Sequence, residues 1–235
     1  MKTLTFPRSL TSISCSDVKD KQCEFVSIPK RIKVLDSLAF AGCSKLKKCV
    51  LHDSLQVIGY AAFAYCSSLE EIKIPDSAQL FFGETFYRCS ALKNVVLPEN
   101  MSSIMYSMFE GCSSLNEVVL PDTVKTIETS AFYGCSSLRK IKLPKHLTEI
   151  ESDAFSECIS LRSISIPRYV MEIGDFAFYG CSGLKSIRIP KSVRKIGSSV
   201  FYGCTSLEHI YISRGTMKQF KALFSETLHP LLKEV

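Results

Sequence analysis

One step length governs this chain. Phenylalanine stands at Phe40, Phe63, Phe86, Phe109, Phe132, Phe155, Phe178 and Phe201, each 23 residues after the last. Cysteine keeps the same step at Cys43, Cys66, Cys89, Cys112, Cys135, Cys158, Cys181 and Cys204, and a leucine follows each cysteine by three, from Leu46 to Leu207. Three unbroken columns of eight do not arise by chance. A chain that returns its apolar residues at a fixed interval of this size stacks copies of one small unit, because a single unit cannot bury its own apolar face.

The unit can be read internally from "AFYGCSSLRKIKLP", Ala131 to Pro144. Ile141 and Leu143 alternate with Lys140 and Lys142, and a period of two predicts a short strand. Pro144 ends it, since proline gives the ladder no donor. The same slot holds Pro29, Pro75, Pro98, Pro121, Pro167 and Pro190, with His52 and Ser213 filling the gaps in the series. Val124, Ile127, Ala131, Phe132 and Cys135 are spaced by three, four, one and three, which suits a helical turn or two with one buried face. Gly134 is then the expected helix stop. The fold class predicted is an α/β solenoid whose unit is a strand, a turn and a short helix or helical loop. Apolar residues at 46% supply the core, and charged residues at 22% argue against disorder.

The phrase resembles the BspA-type leucine-rich repeat, with its signature IxxxAFxxCxxLxxIxLP, over residues 30–213. The resemblance implies a curved, right-handed leucine-rich-repeat superhelix with a parallel sheet on its concave side and short helices or helical loops on its convex side. It also implies surface-exposed or secreted proteins of bacteria and some protists that act in binding and adhesion. "ISRGTMKQFKALF" resembles the segment that closes many such arrays. The organisation expected is a degenerate repeat over 1–29, eight repeats over 30–213 and a helical cap over 214–235, all in one continuous solenoid. The cap is read as an amphipathic helix carrying Phe220, Leu223, Phe224, Leu228, Leu231 and Leu232. The first unit, "LTSISCSDVKDKQCEFVSIP", lacks the Phe and Cys columns and leaves that end poorly capped.

No run of 18 apolar residues suggests a membrane span, and "MKTLTFPRSLTSISC" has no apolar region of the kind a secretory signal needs. Either Met1 is native and the chain stays in the cytosol, or Met1 replaces a removed leader. Eleven cysteines raise the question of disulfides or zinc. Equivalent atoms in stacked units lie about 4.8 Å apart with their side chains pointing the same way. A disulfide wants Cβ atoms about 3.8 Å apart and facing each other, so the column reads as buried free thiols. With no CxxC and four scattered histidines, zinc is disfavoured. A bond between Cys15 and Cys23, both off the column, is conceivable.

No phosphate-binding glycine loop, HExxH or GxSxG occurs, so neither a catalytic set nor a cofactor is expected. Binding is the reading left, by a monomer or weak homodimer, with a protein or glycan as ligand. Three surfaces are candidates. Strand residues that point away from the core line the inner sheet, with Lys48, Lys73, Lys140, Lys142, Arg188, His209 and Tyr211 as the recognition set. The position after the proline slot runs Asp53, Asp76, Glu99, Asp122 and then Lys145, Arg168, Lys191, Arg214, which predicts a basic rim for an acidic partner. The slot held by Gly59, Gly174 and Gly197 becomes Phe82 and Met105 in adjacent units, and with Leu80 and Tyr106 these form either an exposed apolar patch or an internal repacking. Self-assembly through that patch or the N-terminal edge is the alternative function. Polyanion binding by the basic half is a minor one, and little aromatic interleaving disfavours nucleic acid, despite a net charge of +6.

Overall fold

The computed structural model describes residues 3–18 and 21–235, so Met1, Lys2, Lys19 and Asp20 lie outside it. Each unit contributes two strands to two parallel ladders. The longer strands are Thr3–Leu4, Phe25–Ser27, Lys48–Val50, Glu71–Lys73, Asn94–Val96, Glu117–Val119, Lys140–Lys142, Ser163–Ser165, Ser186–Ile189, His209–Ile212 and, after the cap, Leu232–Glu234. The shorter ones are Ser12–Ile13, Val34–Leu35, Val57–Ile58, Leu80–Phe81, Ser103–Ile104, Thr126–Ile127, Glu149–Ile150, Glu172–Ile173 and Lys195–Ile196. Strands pair in parallel with counterparts one unit away, the longer ones from Thr3–Leu4 to Asn94–Val96, between Glu117–Val119 and Lys140–Lys142, and from Ser163–Ser165 to Leu232–Glu234, the shorter ones from Ser12–Ile13 to Leu80–Phe81 and from Ser103–Ile104 to Lys195–Ile196. Register follows the 23-residue step, as in Glu117 opposite Lys140 and Ser163 opposite Ser186.

The phenylalanine column is the centre of the stack. Consecutive rings from Phe40 to Phe201 lie 5.3–5.9 Å apart and within 14° of parallel. Phe6 meets Phe40 edge-on at one end, and Phe224 closes on Phe201 at the other. The cysteine column is buried and free of disulfides. Each thiol from Cys66 to Cys204 donates to the carbonyl of the phenylalanine 26 residues earlier, at 3.0–3.2 Å. The thiol thus packs as a small apolar group and also gives a buried carbonyl a second donor, which alanine cannot do. Cys15 and Cys23 form no disulfide: Cys15 is exposed and Cys23 buried.

The expected helix in each unit is absent. Between the ladders the chain makes overlapping turns, and its amides alternate in direction. Ala39, Ala41 and Cys43 donate to carbonyls three residues back, while Leu38, Phe40 and Gly42 donate to Tyr60, Ala62 and Ala64 of the next coil. A helix would keep every amide within its own segment, whereas here half of them bind coil to coil. The geometry needs a left-handed residue two before and two after each phenylalanine, as at Ser130 (φ 56°) and Gly134 (φ 66°). Gly134 is therefore a turn residue and not a helix stop. Tyr65, Arg88 and Glu157 occupy the same slot with φ of 60°, 55° and 59°.

A left-handed conformation costs a residue with a Cβ about 1–2 kcal/mol, against about 0.5–1 kcal/mol of extra chain entropy lost by glycine. A Cβ on Gly134 would make only ordinary contact, 3.9 Å from Gly111. Gly134→Ala should therefore lower stability by about 1 kcal/mol from backbone conformation alone, and Glu157→Gly should raise it by about 0.5–1 kcal/mol. Urea unfolding midpoints check both.

The cap also differs from the single helix expected. Met217–Leu223 is α-helical and buries Phe220. Glu226–Leu231 is a 3-10 turn containing Pro230, and Leu232–Glu234 then adds a strand beside His209–Ile212. Gln219 donates to the carbonyls of Lys191 and Val193, the contact that Asn100 makes to Asp76 and Ala78 within the array. The cap thus imitates the next coil.

Candidate functional site

On the three-residue strands from Phe25–Ser27 to Ser163–Ser165 the middle residue is buried and its flanks face outward, as in Lys140, Ile141 and Lys142. All seven residues of the recognition set lie on this outward face, but they do not form one site. Lys48 and Lys73 border a hollow of about 310 Å³ with Glu71 and Asn94. There Lys48 is paired with Glu71 at 2.9 Å.

The larger feature is a groove of about 850 Å³ in the C-terminal half. Lys140, Lys142, Arg188 and Tyr211 enter it from the sheet, and Lys145 and Arg168 enter it from the rim. Two candidate surfaces that were separate in the sequence therefore converge. Ser163, Ser165 and Ser186 lie between the cations and leave room at the floor. The register sets the order across the strands: Ser165 stands opposite Arg188, and Arg188 opposite Tyr211. The Arg188 guanidinium sits 5.6 Å from the Tyr211 ring centre, within cation–π range. No carboxylate lines the groove, and among the described residues none of its five cations forms an ion pair. Glu117 is beside Lys140 in register without pairing to it.

His209 packs against Tyr211, 5.6 Å between ring centres, at the edge of this region. Lys191 and Arg214 are exposed and continue the rim beyond the groove. Leu80, Phe82 and Tyr106 lie elsewhere, at 56%, 47% and 44% exposure, while Met105 is half-buried against the core. The Tyr106 ring covers Gly83, where a Cβ would collide with it.

One residue lining the groove, His146, and its neighbour Tyr169 escaped the sequence reading. The second position after the proline slot ties each coil to the one before it. Ser77 donates to Leu55, Thr123 to Glu99 and Met101, and Ser192 to Val170, all at 2.7–2.8 Å, and Arg31, Ser54 and Asn100 make comparable bonds. His146 and Tyr169 replace that small polar residue in two consecutive coils. Both are exposed, and their rings stack at 5.6 Å and 17° beside the groove. The Arg168 guanidinium lies 4.8 Å from the Tyr169 ring centre. The readable signal was a break in a hydrogen-bonding column, visible only once the column's task is known.

Among the described residues no cluster of His, Cys, Asp or Glu is placed to hold a metal ion, and no helix is long and apolar enough to cross a membrane. No curated protein matches the chain. Among solved structures it is similar to a leucine-rich repeat protein of Bacteroides ovatus, at 27% identity and TM-score 0.56, covering 90% of this chain and 66% of that one. It is similar to the leucine-rich repeat protein of T. pallidum at 25% identity and TM-score 0.63, covering 87% and 85%. A leucine-rich repeat protein of Eubacterium ventriosum matches at 27% identity and TM-score 0.55 over 77% of this chain and 43% of its own. The family model described as "BspA type Leucine rich repeat region (6 copies)" matches residues 11–139 and 125–231. With both ladders in 23-residue register and the model spanning nearly all of the coils, the chain belongs to the BspA-type leucine-rich-repeat family.

Proposed function

We propose that the protein is a non-enzymatic binding scaffold of the adhesion type, which displays the outward face of its longer ladder to a protein or glycan ligand. The observation that carries this is the groove, where five unpaired cations from the strands and the rim converge over a floor of serines. The mechanism is preorganisation: the array is ordered on folding, so little conformational freedom is left to lose on association. Parallel crossovers within one sheet are right-handed almost without exception, which supports a right-handed coil. Family membership supports display at a cell surface.

The test is a protein and glycan array probed with the wild type and with Lys140→Glu, Lys142→Glu, Arg188→Glu combined. Reversing three exposed charges leaves the core untouched, so the variant should keep the wild-type stability within about 0.5 kcal/mol. It should lose at least about tenfold in affinity for the ligand. A ligand bound equally by both proteins would reject the groove. Self-association is the second reading, favoured by the exposure of Leu80, Phe82 and Tyr106. Light scattering would then give twice the monomer mass for the wild type and the monomer mass for Phe82→Ser.

A further inference from the structure

Resting on that reading, we propose that the groove over Lys140–Lys142, Ser163–Ser165, Ser186–Ile189 and His209–Ile212 binds an anionic polysaccharide, a chain bearing sulfate or carboxylate groups, laid along the solenoid axis.

Three independent features point to this class. The first is charge. Lys142 and Arg188 both line the groove, on strands two units apart. Lys145 and Arg168 run beside them on the rim. Like charges in rows repel one another in the free protein, and an anionic chain along the groove relieves the repulsion of both rows at once. Among the described residues the ion pairs elsewhere on the array join adjacent coils, as Lys195 does with Glu172, but the groove cations are left for a ligand.

The second feature is the floor. Ser163, Ser165 and Ser186 present hydroxyls, which donate and accept, and these match a ligand covered in hydroxyls. A protein partner instead seeks a desolvated pocket for an aromatic or aliphatic anchor. The apolar residues at the groove, such as Ile141 and Ile164, turn their side chains into the core.

The third is the stacked pair His146 and Tyr169. Two consecutive coils give up the inter-coil hydrogen bond that Thr123 and Ser192 make on either side, and place aromatic rings at the rim instead. A sugar's C–H face packs on such a ring while its polar edge stays wet. Single-stranded nucleic acid uses cations and rings too, but it needs a succession of ring faces for its bases. The stack here joins only two coils.

The experiment is calorimetric titration of the whole protein at physiological salt with four probes: a heparin octasaccharide, uncharged dextran, polyglutamate and oligothymidylate of matched charge. Heparin should bind, dextran should not, and the other two polyanions should bind at least about tenfold more weakly. Lys142→Ser with Arg188→Ser should weaken heparin binding by at least about tenfold. His146→Ser with Tyr169→Ser restores the column's small hydroxyl and should not destabilise the fold, yet it should weaken heparin binding by about threefold to tenfold. Equal binding of polyglutamate or oligothymidylate, or full heparin affinity in the aromatic double variant, overturns the proposal, because either outcome describes simple ion exchange. Failure of heparin to bind also overturns it. If a protein ligand from the array still depends on Lys140, Lys142 and Arg188, the scaffold reading survives that failure. If no ligand does, both fall.

Discussion

Raising the pH from 7 to 10 should unfold this protein, with a steepness set by its cysteine column. Burial pushes the Cys43 and Cys204 thiols up to about 12 and pushes those of Cys89, Cys112, Cys135, Cys158 and Cys181 upward as well, while Cys66 is raised first by its hydrogen bond with Cys89 and then by burial. In the unfolded chain each of the eight titrates near its ordinary value of about 9. The folded state therefore keeps protons that the unfolded state releases. Stability is full below about pH 8 and falls as pH rises beyond the unfolded value. At pH 10 each thiol that the fold keeps protonated favours unfolding by about 1.4 kcal/mol, and summed along the column this becomes comparable to the whole stability of a typical domain. Urea midpoints measured from pH 7 to 10 should show a proton release on unfolding that approaches eight. A release below about three would mean that the column is not protected as described. Thiol titration gives a parallel reading: only Cys15 is exposed, so a disulfide reagent at pH 7.5 should modify one cysteine in the native protein and the remainder after urea.

The second large effect is expected at the middle of the ring column. Phe132 is fully buried, 5.4 Å from Phe109 on one side and Phe155 on the other. Phe132→Ala removes both stacking contacts and leaves a cavity that the ladders above and below cannot collapse to fill. The loss should be about 3–5 kcal/mol. Coils touch only their neighbours, so the damage also falls on coupling. The two halves should begin to unfold separately, seen as a lower denaturant slope and as different amide-exchange rates on either side of residue 132. Phe132→Leu keeps most of the volume and should retain one transition. Phe201→Ala should cost less, because Phe201 meets its outer neighbour Phe224 at a tilt of 48° and not in parallel. A single sharp transition in Phe132→Ala would show that the spine does not carry cooperativity between the halves.

The columns made the coil legible, and with it the buried place of Phe132 and Cys135 and the outward place of Lys140 and Lys142. They did not reveal how the backbone bonds. Side-chain spacings of three and four fit a helix, but they fit overlapping three-residue turns equally well. The difference lies in the amides, such as Leu38 donating to Tyr60, which carry no side-chain signature. The shorter ladder was missed because a strand of two residues, like Thr126–Ile127, is too brief to alternate. Leu231 and Leu232 looked helical by spacing, yet the 3-10 turn that contains Pro230 ends at Leu231 and a strand begins at Leu232. At the candidate site the cations could be counted from the sequence, but their convergence could not. Lys145 and Lys142 are three residues apart on either side of Pro144, and only the turn brings both over Ser165. His146 and Tyr169 were passed over because they looked like ordinary surface residues until the bonds made by Thr123 and Ser192 showed what they had replaced.

The constant 23-residue register also bears on how such a gene can change. Unequal crossing-over that removes one whole period between Lys145 and Pro167 would leave every ring beside a ring and every thiol below a phenylalanine carbonyl. Length is thus free to vary in quanta while the interior stays the same. What such an exchange rewrites is the surface: in that shortened protein Lys142 would abut Arg188 with no serine between them, and a new spacing of charge would be open to selection without a new fold.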